Sequence, residues 1–379
     1  MKLDATSAVP PTTVLMVSTS YPANADDWRG LFIRNLADSL ARRVDVRLRL
    51  WSPPGEFPAR ATYAASTEEA EWLAQLMVAG GIAHQLRTRR LWALSKPFHL
   101  LRILRALYRR ESGVDIYHVN WLQNALAVPN NRVPLLATVL GTDMQLLNLP
   151  GMVSLLRRVF RTRKTAICPN AQWMLPKLER LFGDIAIVRA VSFGIDQRWF
   201  DLERNPDDPP KWLCVSRLTR AKIGMLLEWC EPLFSNGSRE LHLFGPMQEQ
   251  MPLPTWVRYH GPVTPAQLSA NWFPRSRGLI TLSQHAEGRP QVMLEAMASA
   301  MPIIASRIPA HEDILQHQKT GWLCDDATQL SAAFQALEML PFNFAMGEQA
   351  RAWAKSEIGS WDDCAGRFAA LYRELTASR

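Results

Sequence analysis

Apolar positions along the chain alternate between two rhythms. TTVLMVSTSYP carries an unbroken apolar run, Val14 to Val17, ending in a turn, as a parallel strand buried on both faces does. GLFIRNLADSLARR then repeats its apolar residues at helical spacing, and VDVRLRLW returns to strand alternation, so the chain opens as β-α-β. VDIYHVNWL through VPLLATVLGTD forms a further unit, and TAICPN begins another. RAVSFGID, near 189–196, ends this pattern. It restarts with KWLCVSRL (strand), MLLEWCEPLF (helix), ELHLFGP and VRYHGPV (strands), AQLSANWF (helix), GLITLS (strand), PQVMLEAMASA (helix) and PIIAS (strand). The pattern predicts an α/β protein of two doubly wound halves joined near residue 194, with the C-terminal strand edges facing a central cleft where ligands of such folds bind. WDDCAGRFAALYRELTASR is amphipathic at helical spacing and is expected to cross back onto the first half. The expected boundaries are 1–192, 193–355 and a terminal helix in 356–379.

Length and composition fit this division: 379 residues allow two cores, and 47% hydrophobic with 21% charged residues excludes a disordered chain. Five cysteines, odd in number and without a C-x-x-C pair, point away from a disulfide framework or a zinc site and toward a reducing cytosol. No run approaches the ~18 apolar residues of a membrane span, and the N-terminus lacks the apolar core of a signal peptide, so a cytoplasmic protein is expected. Net charge is +8, but residues 1–192 hold 25 Lys and Arg against 14 Asp and Glu, while the remainder is slightly acidic. The excess concentrates in 84–110, with eight basic residues, and 151–166, with five, neither containing an acid. Between Leu91 and Tyr108 apolar residues recur at helical intervals, which suits either an anionic membrane surface or a core-facing helix with a solvated basic side. No nucleic-acid motif accompanies the charge, so nucleic acid is not the expected partner.

The chemistry concentrates in GLITLSQHAEGRPQVMLEAMASA, a strand, loop and helix. Pro290 suits the first helical position, leaving the amides of Gly288, Arg289, Gln291 and Val292 to point at an anion with the positive end of the helix dipole behind them. Glu295 lies in an apolar run, where a carboxylate needs partners such as sugar hydroxyls. Glu287, on the loop before the helix, should face the same pocket; either glutamate alone could equally be a cap or a dipole complement. In WLCVSRLTRAKIG a buried strand ends at Arg217 and Lys222 follows on the loop into the next helix, a planar fork and a mobile point charge suited together to a diphosphate. Each by itself is an ordinary surface cation.

S-R-L-T-R-A-K-I-G, L-H-L-F-G-P, Y-H-G-P-V, E-G-R-P-Q-V-M-L-E-A-M-A, P-I-I-A-S and T-G-W-L, in this order, closely resemble the second domain of retaining glycosyltransferases of family 4, which have the GT-B fold of two Rossmann-like domains. STSYPANADDWRGLFIRNLADSLARR, DIYHVNWL and LGTD carry the resemblance more loosely through the first half. It implies that Arg217 and Lys222 hold the donor's diphosphate, that Glu295 accepts from the ribose, and that Glu287 contacts the donor sugar beside the amides of 289–292. Gly245 and the strand end at His260 and Gly261 would line the nucleobase. Members of this family generally work without a bound metal or cofactor, and the two cations with the helix dipole would stabilise the leaving diphosphate.

The first half departs from the family pattern. Relatives with D-x-x-H-x-H carry a histidine where DIYHVNW has Asn120, and their H-G-x-D turn stands here as Leu140-Gly141-Thr142-Asp143. His118 and Asn120 share one side of a strand, so His118 either takes the missing role or is a structural histidine. Asp143 is a candidate for contacting or deprotonating the acceptor hydroxyl, or for capping its turn. Gly30 stands in place of a glycine-rich loop and allows close approach to the donor or permits the turn. The resemblance implies transfer of a sugar from a nucleotide diphosphate to a saccharide or lipid-linked acceptor in bacterial envelope assembly, on the inner face of the membrane. The alternatives are a nucleotide-sugar epimerase or hydrolase on the same fold, and a noncatalytic membrane-associated assembly subunit.

Overall fold

The computed structural model describes residues 10–24, 26–80, 95–285 and 287–377. The readings made on the first nine residues and on 84–94 of the basic stretch lie outside them.

The chain divides into two compact units. The first comprises Met1–Asn170, Met174–Phe193 and Trp361–Arg379, and the second Ala171–Trp173 with Gly194–Ser360. In the first, β1 (Thr12–Val17), β2 (Val46–Trp51), β3 (Thr62–Tyr63), β4 (Ile116–Asn120), β5 (Leu135–Val139), β6 (Thr165–Pro169) and β7 (Ile187–Val188) form one sheet in the order β3-β2-β1-β4-β5-β6-β7. Every pair is parallel. Val14 to Val17 are fully buried, because crossover helices cover both faces of a parallel sheet.

Helix Leu31–Arg42 buries Ile33, Leu36, Ala37 and Leu40, one stripe at helical spacing, against this sheet. Helix Trp361–Thr376 adds Cys364, Phe368, Leu371, Tyr372 and Leu375 to the same core, so the chain's end completes its first unit. His118 lies beneath that helix, fully buried, with Nδ1 2.6 Å from the Tyr372 hydroxyl and Nε2 2.8 Å from Thr138 Oγ1. Its ring packs on Phe368, and burial pulls its pKa down to about 3. Both ring nitrogens are engaged inside the core, by Tyr372 and Thr138.

The described part of the basic stretch forms helix Ser95–Arg110, which buries Leu100, Leu104, Leu107 and Tyr108 while Arg102, Arg105 and Arg109 stay exposed. Phe98 stands out at 73% exposure. In helix Met152–Phe160 only Leu156 and Phe160 are buried. Arg163, in the second basic stretch, is buried and donates to the carbonyls of Pro129 and Val133.

The second unit holds β8 (Lys211–Val215), β9 (Glu240–Phe244), β10 (Val257–Gly261), β11 (Gly278–Thr281), β12 (Ile303–Ser306) and β13 (Trp322–Cys324), all parallel, in the order β10-β9-β8-β11-β12-β13. The chain builds outward from β8 on one side and from β11 on the other. A crevice therefore opens between the C-terminal ends of β8 and β11, the topological switch point at which such sheets bind ligands. AQLSANWF, expected to be a helix, lies in one continuous helical stretch made of Pro265–Gln267, Leu268–Trp272 and Phe273–Arg275, whose middle part widens to i→i+5 bonding and whose last turn tightens to i→i+3.

Candidate functional site

Both strands at the second unit's switch point end in loops that carry charge. After β8 the chain turns through Arg217 to Thr219, whose hydroxyl accepts from the Lys222 amide at 3.3 Å and caps the short helix Arg220–Ile223. After β11 the Gln284 amide donates to the Ala221 carbonyl at 2.8 Å, drawing the second loop onto the first. Lys222 Nζ thereby lies 2.8 Å from Glu287 Oε1, with side chains 13% and 15% exposed. Burial lowers the Lys222 ammonium against the pull of Glu287, and the Arg217 charge nearby lowers it further. Burial also raises the Glu287 carboxyl, but the Lys222 ammonium outweighs it, with His311 and His285 assisting, and the carboxyl ends below its ordinary value.

The corner between β11 and helix Gln291–Ala298 is held from behind. Pro290 stands at the cap, with φ −67° and ψ 114°, one residue before the position expected for it. The first-turn amides of Gln291 and Val292 come before any intrahelical acceptor, and Gln291 Nε2 donates to the Gly194 carbonyl at 2.9 Å. Arg289 contributes backbone only, since its guanidinium is paired with Asp313 at 4% and 2% exposure. Asp313 also accepts from the Trp173 amide at 2.8 Å, and the Trp173 indole donates to the Gly288 carbonyl at 2.9 Å. Trp173 and Asp313 were not found from sequence, because residues 115 and 140 positions apart leave no local periodicity to read. His311, also missed, is fully buried with Nδ1 2.8 Å from the Ser306 carbonyl.

Glu295, one helical turn on, sits among Met293, Leu294, Ala296 and Met297, all buried. Burial pushes its carboxyl up to about 7; the neighbouring Asp196 carboxylate adds to the rise and the Arg198 guanidinium opposes it. A carboxyl whose folded pKa exceeds its unfolded value stabilises fully below the unfolded pKa, and that contribution is lost as pH rises through the folded one. Glu295→Gln should therefore gain Tm relative to the wild type as pH is raised from 5 to 8, and a Tm difference independent of pH would contradict this.

Gly245, after β9, adopts φ +122°, and a Cβ there would stand 1.8 Å from the Ser216 carbonyl oxygen, so the loops after β8 and β9 meet only because this residue has no side chain. Its amide donates to the Gly261 carbonyl at 2.8 Å, which brings the end of β10 into the same edge.

The expected residues of the first unit have other partners. Asp143, 1% exposed, accepts from the Leu122 amide at 2.7 Å and the Leu140 amide at 2.8 Å, one on each oxygen. It ties two loops together, and burial raises its pKa to about 6. Asn120 is fully buried and donates to the Val17 carbonyl at 3.2 Å, while its Oδ1 has no partner among the described residues. Gly30 takes φ +74° at the start of helix Leu31–Arg42, where a Cβ would meet Ser20 Oγ and the Tyr21 amide at 2.7 Å. Among the described residues no group of three or more His, Cys, Asp or Glu is placed to hold a metal ion.

Residues 209–339 match the model of the family described as glycosyl transferases group 1. N-acetyl-alpha-D-glucosaminyl L-malate synthase of Bacillus anthracis is 36% identical over 76 residues, 19% of this chain and 20% of that relative's length. The match thus spans about a fifth of the curated relative. Sucrose-phosphate synthase from Thermosynechococcus elongatus superposes with a TM-score of 0.69 at 16% identity, over 97% of this chain and 100% of that one. Anabaena HepE in complex with UDP-glucose gives 0.63 at 14% identity, over 96% and 100%. At these identities the structural likeness establishes architecture, which is GT-B. The chain thus has the GT-B fold, and its residues 209–339, which match the glycosyl transferases group 1 model, contain the Lys222–Glu287 pair and the helix corner.

Proposed function

We infer that this protein is a retaining, metal-independent glycosyltransferase that moves a sugar from a nucleotide-diphosphate donor to a saccharide or lipid-linked acceptor in bacterial envelope or exopolysaccharide assembly. One observation carries the reading: at the switch point of the second unit Lys222, with the Arg217 charge acting on it, pairs with Glu287 on the loop that leads into helix Gln291–Ala298. Fixed cations and peptide dipoles in a partly desolvated crevice stabilise the charge that grows on a departing diphosphate. Glu287 is positioned to accept from donor-sugar hydroxyls, and Glu295, inside the helix, from the ribose. Attack from the same face, with the departing phosphate taking the acceptor's proton, retains configuration and needs no enzymatic nucleophile. The UDP-glucose held by HepE is a donor of this class. The exposed basic side of helix Ser95–Arg110, with Phe98 at its start, suits an acceptor presented at an anionic membrane.

The test is a thermal-shift and calorimetric panel of nucleoside diphosphates and their sugars, followed by transfer to lipid-linked acceptors in anionic vesicles with EDTA present. Binding of one nucleotide series, and a product of retained anomeric configuration, are expected. Nucleotide release at the same rate without acceptor would instead support the hydrolase, and silence across the panel would end the proposal.

A further inference from the structure

The ends of β9 and β10 carry a hydrogen-bonded imidazole pair outside the Lys222–Glu287 centre. His242, 3% exposed, has Nε2 2.9 Å from Glu240 Oε2 and Nδ1 2.9 Å from His260 Nε2. Arg258 holds the other Glu240 oxygen at 2.7 Å, so this carboxylate accepts on both sides. The direction of each proton follows. His242 donates from Nε2 to Glu240, which leaves its Nδ1 as a lone pair; His260 must then donate from its own Nε2, and a neutral His260 keeps only a lone pair at Nδ1. Burial lowers the pKa of both imidazoles and the Arg258 charge opposes protonation of either, which favours the neutral rings this chain of bonds requires.

The His260 ring cannot turn freely. It stacks on Phe244 at 4.7 Å and 14° and meets Trp272 at 4.6 Å and 55°. Yet the residue is exposed, and its Nδ1 has no partner among the described residues. It lies at the C-terminal end of the edge strand, next to Gly261, whose carbonyl accepts the Gly245 amide, while Gly245 closes on Ser216 beside Arg217. From β10 to β8 is two strand spacings, roughly 10 Å, a span that a ribose and a base ring cover when their phosphates rest at Arg217.

We propose that His260 reads the donor's base as a fixed hydrogen-bond acceptor, selecting bases with a ring N–H on their pairing edge, uracil or guanine, over cytosine and adenine, which present a lone pair there. This rests on the donor-site reading above. Glu240 and His242 are positioning residues that set the tautomer, and a lone pair set against a lone pair penalises the wrong base, as does any unpaired polar group on closure of a site.

Calorimetry on the full chain with UDP, CDP, GDP, ADP, the base-methylated analogues 3-methyl-UDP and 1-methyl-GDP, and inorganic pyrophosphate tests this. In the preferred series UDP should bind at least about tenfold tighter than CDP, or GDP than ADP, and methylation of the ring nitrogen should remove that advantage. His260→Phe keeps the stacking on Phe244 and Trp272 but lacks the acceptor. It should bring the paired affinities within about threefold while pyrophosphate binds as it does to the wild type. His242→Phe, which frees the His260 tautomer, should narrow the ratio in the same direction. Equal affinities in the wild type, or a ratio unchanged in His260→Phe, would overturn the assignment alone; binding of no nucleoside diphosphate would overturn the donor site and this assignment with it.

Discussion

Lys222→Met is expected to lower glycosyl transfer by about a hundred- to a thousandfold, mostly in kcat, the magnitude typical of removing one preorganised group from developing transition-state charge. The side chain is 13% exposed with its ammonium 2.8 Å from Glu287, so water does not replace it, and in the proposed donor site that charge would act on the departing diphosphate. The substitution also strands Glu287, a carboxylate 15% exposed with Lys222 as its cationic partner, and so lowers Tm. Lys222→Met with Glu287→Gln separates the two effects: the pair should recover most of the lost stability and none of the activity. Turnover of a labelled donor, measured beside Tm for both variants, checks this. Transfer within threefold of wild type in Lys222→Met would remove the cation from the mechanism.

Asp313→Ala should be the most destabilising single change near the site. It leaves the Arg289 guanidinium buried at 4% exposure without the carboxylate that neutralises it, and frees the Trp173 amide. Losing one partner of such a pair costs about 3–5 kcal/mol, or a fall in Tm of roughly 10 °C for a unit of this size. Nucleotide binding should weaken in parallel, since Trp173 holds the Gly288 carbonyl and through it the corner that presents the amides. Asp313→Leu with Arg289→Met removes both charges and should restore much of the Tm. A single variant that melts within 2 °C of wild type would show that the pair does not brace the corner.

The strands of the two sheets that the apolar runs announced are present, since VLMV and LLATV have the unbroken burial that a parallel sheet covered on both sides demands. Short elements such as Thr62–Tyr63 and Ile187–Val188 were not legible, because two residues contain no period. At the candidate site, Arg217, Lys222 and Glu287 could be picked out, each lying just beyond an apolar run that ends a strand. What those side chains would bond to could not. His118 and Asp143 illustrate the difference: the strand end was visible, but the partners that occupy them, Tyr372 and Thr138 in one case and the Leu122 and Leu140 amides in the other, come from distant segments or from a turn.

By itself, then, the sequence determined the two-half α/β organisation, the position of the charged loops after β8 and β11, and the proline corner, because period and turn chemistry are local properties of the chain. Only the tertiary structure decided that Lys222 meets Glu287, that Arg289 is spent on Asp313 behind the corner, and that His242 lies between Glu240 and His260. Those facts depend on which loops the strand order brings side by side, and strand order is set by packing between segments far apart in the chain, of which no single segment carries a record.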